Sequence, residues 1–137
     1  MAAPKKRVFL SYAADDKQAA EQLAEGLRGQ SLEVWTDALL VPGENWAAGM
    51  ADALGQSDAM VVLLTPRSVE SEWVRRDIDY ALSSKRFERR LIPVVIGGER
   101  APWLAKAPWV LRKLQMVTSP SAAKASKLVA DALKKAG

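Results

Sequence analysis

Apolar and polar positions change period from one segment of the chain to the next, and the changes mark out alternating strands and helices. RVFLSY (7–12) is short and rich in β-formers, which predicts a first strand. Behind it Ala20, Leu23, Ala24 and Leu27 recur at helical spacing, so a helix follows, with Asp15 or Asp16 as its N-cap and Gly29 as its stop. LEVWTD (32–37) predicts the second strand, where Val34 and Trp35 alternate across the pleat and one of the two belongs to the core. ALLVPGE is a loop broken by Pro42 and Gly43, and Ala47, Met50, Ala51 and Leu54 form the apolar face of a second helix. AMVVLLT (59–65) has no polar residue before Thr65, the pattern of a parallel strand covered on both faces, and Pro66 ends it. RLIPVVIG (90–97) predicts a fourth strand. Pro93 inside it cannot donate to a ladder, which argues for a strand start or a bulge and against a central position. Residues 98–112 form a loop in which Trp103 and Trp109 cover the sheet's end, and LRKLQMV supplies a last strand. Ser119 and Pro120 then serve as N-cap and N1 of a closing helix with Ala125, Leu128, Val129, Ala132 and Leu133 on its buried face.

The helix after the third strand carries two stripes. Val74, Ile78, Ala81 and Leu82 follow the spacing of a buried face, and Glu72, Arg75, Arg76 and Asp79 occupy the far side. Trp73, Asp77, Tyr80 and Ser84 line up between them, which places Asp77 at the boundary of core and water. From position alone, a solvated acid paired with a neighbouring Arg is the ordinary reading of such a residue.

Five strands alternating with helices predict an α/β fold, a doubly wound, mostly parallel sheet with helices on both faces. Ligands of such sheets bind beyond the carboxyl ends of the strands, where the strand order switches. The segments expected there are SYAADD, TDALLVPGENW, TPRSVESEW and GGERAPW.

Composition narrows the chemistry. A chain of 137 residues, 49% hydrophobic and 26% charged, fits one domain over 6–137 behind a flexible 1–5. With neither cysteine nor histidine, the chemistry rests on carboxylates, hydroxyls, Lys, Arg or backbone, and no metal site is expected. MAAPKKR lacks the apolar run of a signal peptide and no membrane-length apolar stretch occurs, so a cytoplasmic location without membrane contact is expected. The net charge of +4 is dispersed among acids rather than gathered in a basic stripe, which argues against direct nucleic-acid binding.

Neither the G-x-G-x-x-G of a dinucleotide-binding turn nor a P-loop is present. A phosphoacceptor site would need an aspartate ending the third strand, where Thr65-Pro66 stands; Asp15 and Asp16 fit better as cap and dipole partners of the first helix. Taken in order, RVFLSYAADD, LEVWTD with its Gly43 loop, and VVLLTPRSVESEWVRRDIDYAL resemble the Toll/interleukin-1 receptor (TIR) domain, especially its bacterial members, across residues 5 to 135. The resemblance implies a flavodoxin-like five-stranded sheet, a mobile loop at 38–45 and homotypic, head-to-tail assembly of like domains. It also implies an enzyme that cleaves NAD at the nicotinamide–ribose bond, in some members cyclising the product, in defence against phage. NAD would be the substrate, with no further cofactor, and a sensor would lie in another part of the polypeptide or another subunit.

The family's catalytic glutamate, four positions after the motif tryptophan, corresponds to Asp77 here. The resemblance further implies Trp73 at the pocket edge, Ser11 and Tyr12 beneath the site, and Asp37, Leu39, Gly43 and Trp46 in the loop that gates it. As plain structural elements, Trp73 would pack on the neighbouring strand and Gly43 would serve a turn. Aspartate is shorter than glutamate by one carbon–carbon bond, about 1.5 Å, and a misplacement of about 1 Å can cost on the order of a hundredfold in rate. Two other classes stand beside the NAD-cleaving enzyme. One is a non-catalytic TIR adaptor acting through assembly; the other is a nucleoside deoxyribosyltransferase-like enzyme, whose order of motifs is missing.

Overall fold

The computed structural model describes residues 6–36, 55–83, 90–96 and 116–136. Five strands, β1 (Arg7–Ser11), β2 (Glu33–Thr36), β3 (Ala59–Leu64), β4 (Leu91–Ile96) and β5 (Val117–Ser119), form one sheet in the order β2-β1-β3-β4-β5. Every pairing is parallel. The described helices are α1 (Lys17–Gly29), α2 (Glu72–Leu82) and α3 (Ala122–Ala136). The proposed helix on Ala47, Met50, Ala51 and Leu54 and the loop of residues 98–112 lie outside the described residues.

Period-two alternation in the strands separates two apolar layers. Val8, Leu10, Val61, Leu63, Ile92 and Val94 face α1 and α3, where they meet Leu23, Leu27, Ala125 and Val129. Phe9, Met60, Val62, Leu64, Leu91 and Val95 face α2 and its Val74, Ile78 and Ala81. Because β3 is covered on both sides, all six of its residues are buried, and each fully buried large apolar side chain contributes about 1.5–3 kcal/mol. Val34 belongs to the first layer; Trp35 packs against the second, half-buried, with the Arg7 guanidinium 4.6 Å from its ring centroid.

Two expectations change. Pro93 pairs with Val62 inside a continuous β3–β4 register, and β4 has a strand on each side, so it is neither a strand start nor a bulge. Met60 N–H donates to the Arg90 carbonyl. By the alternation of a parallel ladder, Ile92 and Val94 also turn their backbone groups to β3, and Pro93 turns toward β5. The β5 ladder starts one residue later, at Val94 and Val117, so the missing donor costs no sheet bond.

Second, the last strand occupies 117–119 and overlaps the expected 111–117 at one residue. Ser119 is therefore a strand residue, and the cap of α3 is Ser121, whose hydroxyl accepts from Lys124 N–H at 3.3 Å. On α3 itself, Leu128 is exposed rather than buried. The stop expected at Gly29 holds, since α1 ends there; the chain then reverses at Ser31, the one described non-glycine residue with positive φ, 65°. Leu32 N–H reaches the Leu27 carbonyl and Ser31 N–H the Arg28 carbonyl, the paired bonds of a Schellman stop, with Leu27 and Leu32 both in the core beneath it.

Candidate active site

The chain leaves β1 for β2 on one side of the sheet and later returns to place β3 on the other, so the switch in strand order lies between β1 and β3. Ser11 ends β1 in register with Val62. By alternation it shares the α2 face with Phe9, and it is wholly buried. Opposite it, α2 begins at a well-formed cap: Ser71 accepts from Val74 N–H at 3.3 Å. Six residues on from that cap, the helix delivers Asp77 to the end of β1, where Ser11 Oγ donates to Asp77 Oδ2 at 2.7 Å.

Asp77 is 0% exposed, and its Oδ1 is as enclosed as its Oδ2 is bonded. This corrects the expectation of an acid at the boundary of core and water, and of a solvated one. Helical spacing places Asp77 beside the apolar stripe of Val74, Ile78 and Ala81 but does not register its contact with the end of β1, where Ser11 lies; Tyr80, on the same stripe, is half-buried. Glu72, Arg75, Arg76 and Asp79 do face solvent as expected. The Ser11–Asp77 distance is that of a well-formed O–H···O hydrogen bond.

A second buried acid lies at the same end of the sheet. Asp16 is 5% exposed and occupies the N-cap position of α1, yet its side chain makes no capping bond. The carboxylate crosses instead to the end of β3, where Thr65 Oγ1 donates to its Oδ2 and Arg67 Nη1 lies 3.3 Å from its Oδ1. The Thr65 hydroxyl also accepts from Ser68 N–H, and the Ser68 hydroxyl accepts from Thr65 N–H at 2.8 Å. The cap role expected of this acid is thus replaced by a bridge between two loops. The signal was present in TPRS: a threonine ending a strand, then proline, then a serine three places on, is the composition of a side-chain-closed turn. Asp15 is exposed.

Of the other expected site residues, Tyr12 follows β1, is half-buried and packs against the α1/α3 layer, the sheet face opposite to that of Ser11. Trp73 stands in the first turn of α2, one turn before Asp77, and its side chain lies outside the described part. Asp37, Leu39, Gly43 and Trp46 lie outside the described residues. An open depression of about 380 Å³ lined by Arg7, Arg28, Leu32, Glu33, Val34 and Trp35 sits at the amino ends of β1 and β2. It is at the far end of the strands from Asp77, so strand polarity and not cavity size locates the candidate site. Among the described residues no three or more His, Cys, Asp or Glu cluster in a way that could hold a metal ion. Among the described residues, too, no helix is long and apolar enough to cross a membrane.

A parallel sheet with two buried acids at its switch point defines an α/β protein. The family model for the TIR domain matches residues 8–136, and the chain belongs to that family. It is 32% identical over 97 residues to the NAD(+) hydrolase TcpA of Theionarchaea archaeon (strain DG-70-1), a match covering 68% of this chain and 29% of that protein. It is 35% identical over 102 residues to the NAD(+) hydrolase ApTIR of Actinoplanes sp. (strain ATCC 31044 / CBS 674.73 / SE50/110), covering 66% of this chain and 14% of that protein. The chain therefore spans less than a third of either relative. Among solved structures, a metazoan TIR-STING receptor from C. gigas superposes with a TM-score of 0.77 at 22% identity, over 97% of this chain and 41% of that one, a likeness of fold.

Proposed function

We propose that the domain cleaves the nicotinamide–ribose bond of NAD, with Asp77 as the catalytic carboxylate. The observation that carries this reading is the placement of Asp77: an acid enclosed at the switch point and oriented by Ser11, in a chain related to two NAD(+) hydrolases. Nicotinamide within NAD already bears a positive charge, so it leaves as a neutral base without being protonated. The C1′–N bond breaks with its electron pair going to the ring nitrogen. The ribose acquires oxocarbenium character, which a fixed anion stabilises. Water then forms the new C1′–O bond and releases a proton, giving ADP-ribose; attack by a group of the same molecule would give a cyclic product. One carboxylate suffices here, whereas ordinary glycosidases need a second to protonate the leaving oxygen. The absence of histidine is therefore compatible with the chemistry.

Asp77 is enclosed in the single domain, so substrate reaches it only after a rearrangement. This favours an activity that is silent in the lone domain and switched on by head-to-tail stacking of copies, triggered by a sensor elsewhere in the polypeptide or in a partner. Immune signalling in the cytoplasm is the matching biological setting. The loop residues Asp37, Leu39, Gly43 and Trp46, with Trp73 and Tyr12, complete the proposed substrate site.

The same burial favours a second reading, in which Asp77 is a structural acid and the domain a non-catalytic adaptor acting through assembly alone. The test is nicotinamide release from NAD by the concentrated or artificially oligomerised protein, comparing wild type with Asp77→Ala and Asp77→Glu. The enzyme reading expects release by wild type, loss in the Ala variant and an increase in the Glu variant. Release by the Glu variant alone, or by none of the three, supports the adaptor.

A further inference from the structure

Asp16 is a buried acid that the proposed chemistry does not use. Its position, however, closes a circuit of contacts around Asp77. Ser11 and Asp16 stand five residues apart on the connection from β1 to α1. Ser11 is tied to α2 through Asp77, and Asp16 is tied to the end of β3 through Thr65. Thr65 holds Ser68, which opens the 3-10 turn Ser68–Glu70, and that turn leads directly into the Ser71 cap of α2. Both ends of the Ser11–Asp77 bond are thus fixed to the same small frame.

We propose that Asp16 is a positioning residue: through Thr65 it clamps the β1–α1 connection to the β3–α2 turn and so sets the placement of the Asp77 carboxylate against Ser11. The proposal rests on the reading of Asp77 as the catalytic acid, and it accounts for why Asp16 leaves the capping role that its position offers. Arg67, 64% exposed at its side chain, covers the outer oxygen of Asp16 and lies on the solvent side of the clamp. The Thr65 hydroxyl is the central joint, since it donates to Asp16 and accepts from Ser68 N–H at once. Thr65→Val removes that joint at nearly constant volume, and Thr65→Ser restores it.

Two readouts test the clamp on the assembled protein: steady-state NAD cleavage, and the side-chain carboxyl ¹³C resonance of Asp77, assigned by its absence in Asp77→Asn. Thr65→Val is expected to lower kcat about tenfold or more while KM stays within about twofold, because a sub-ångström displacement acts on the reacting geometry. It is also expected to move the Asp77 resonance, and Thr65→Ser is expected to return both to wild-type values. If Thr65→Val lowers only the Tm and leaves kcat and the resonance unmoved, the clamp is merely structural and the proposal is overturned. If the assembled wild type releases no nicotinamide, the catalytic reading fails by itself and the resonance alone decides: a shift in Thr65→Val that Thr65→Ser reverses upholds the coupling, and an unmoved resonance overturns it.

Discussion

Ser11 and Asp77 form one bond 2.7 Å long, and most of the account turns on how each depends on the other. Ser11→Ala would leave the enclosed carboxylate without this donor, and a buried polar group deprived of its partner costs about 1–3 kcal/mol. Chemical denaturation should therefore show a lower midpoint for Ser11→Ala with an unchanged m-value. Ser31 offers the opposite experiment. It is exposed and holds φ at 65°, a conformation that disfavours side chains with a Cβ. Ser31→Gly is expected to stabilise the fold by about 0.5–1 kcal/mol, read as a Tm rise of about 2–4 °C. Gly29 marked the helix end in the sequence because glycine is the common terminator, but no periodicity announces a serine at the reversal that follows. Asp77 shows the complementary gap. Its helix, stripe and neighbours in sequence were legible, but its burial and its bond to Ser11, 66 residues away, belong to the tertiary packing, which local pattern cannot place.

At the scale of elements, α1 and α3 pack so closely that Gly26 has no room for a methyl group. A Cβ built there would lie 2.5 Å from Ser126 Oγ and 2.7 Å from Ser126 Cβ. Gly26→Ala should cost about 1–3 kcal/mol through overpacking. Because the obstruction is the Ser126 side chain, the double variant Gly26→Ala/Ser126→Gly should recover part of the loss, a non-additivity that a double-mutant cycle would measure. The apolar faces of α1 and α2 were readable because each obeys one helical period, and β3 because it is apolar at every position. The fifth strand was not. Its three residues give too short a pattern, and the apolar LRKLQMV before it drew the expectation early. Pro93 misled for a related reason: a proline's tolerance in a strand depends on which neighbour its nitrogen faces, and that is a property of the finished sheet.

For the molecule as a whole, the parallel order β2-β1-β3-β4-β5 fixes where function can reside, since strand polarity brings Ser11, Asp16, Thr65 and Asp77 to one end. That much followed from the alternation of strands and helices. The family followed from motifs in order, and the chain's membership is established over residues 8–136. The central claim is that this end of the sheet performs chemistry through Asp77 once copies assemble. It is tested most directly by quantifying nicotinamide released from NAD by the oligomerised wild type and by oligomerised Asp77→Asn, which keeps the shape of the buried side chain and removes its charge. The account predicts release that rises steeply with assembly in the wild type and falls to background in Asp77→Asn. Equal release by the two proteins, or none by the assembled wild type, would contradict it.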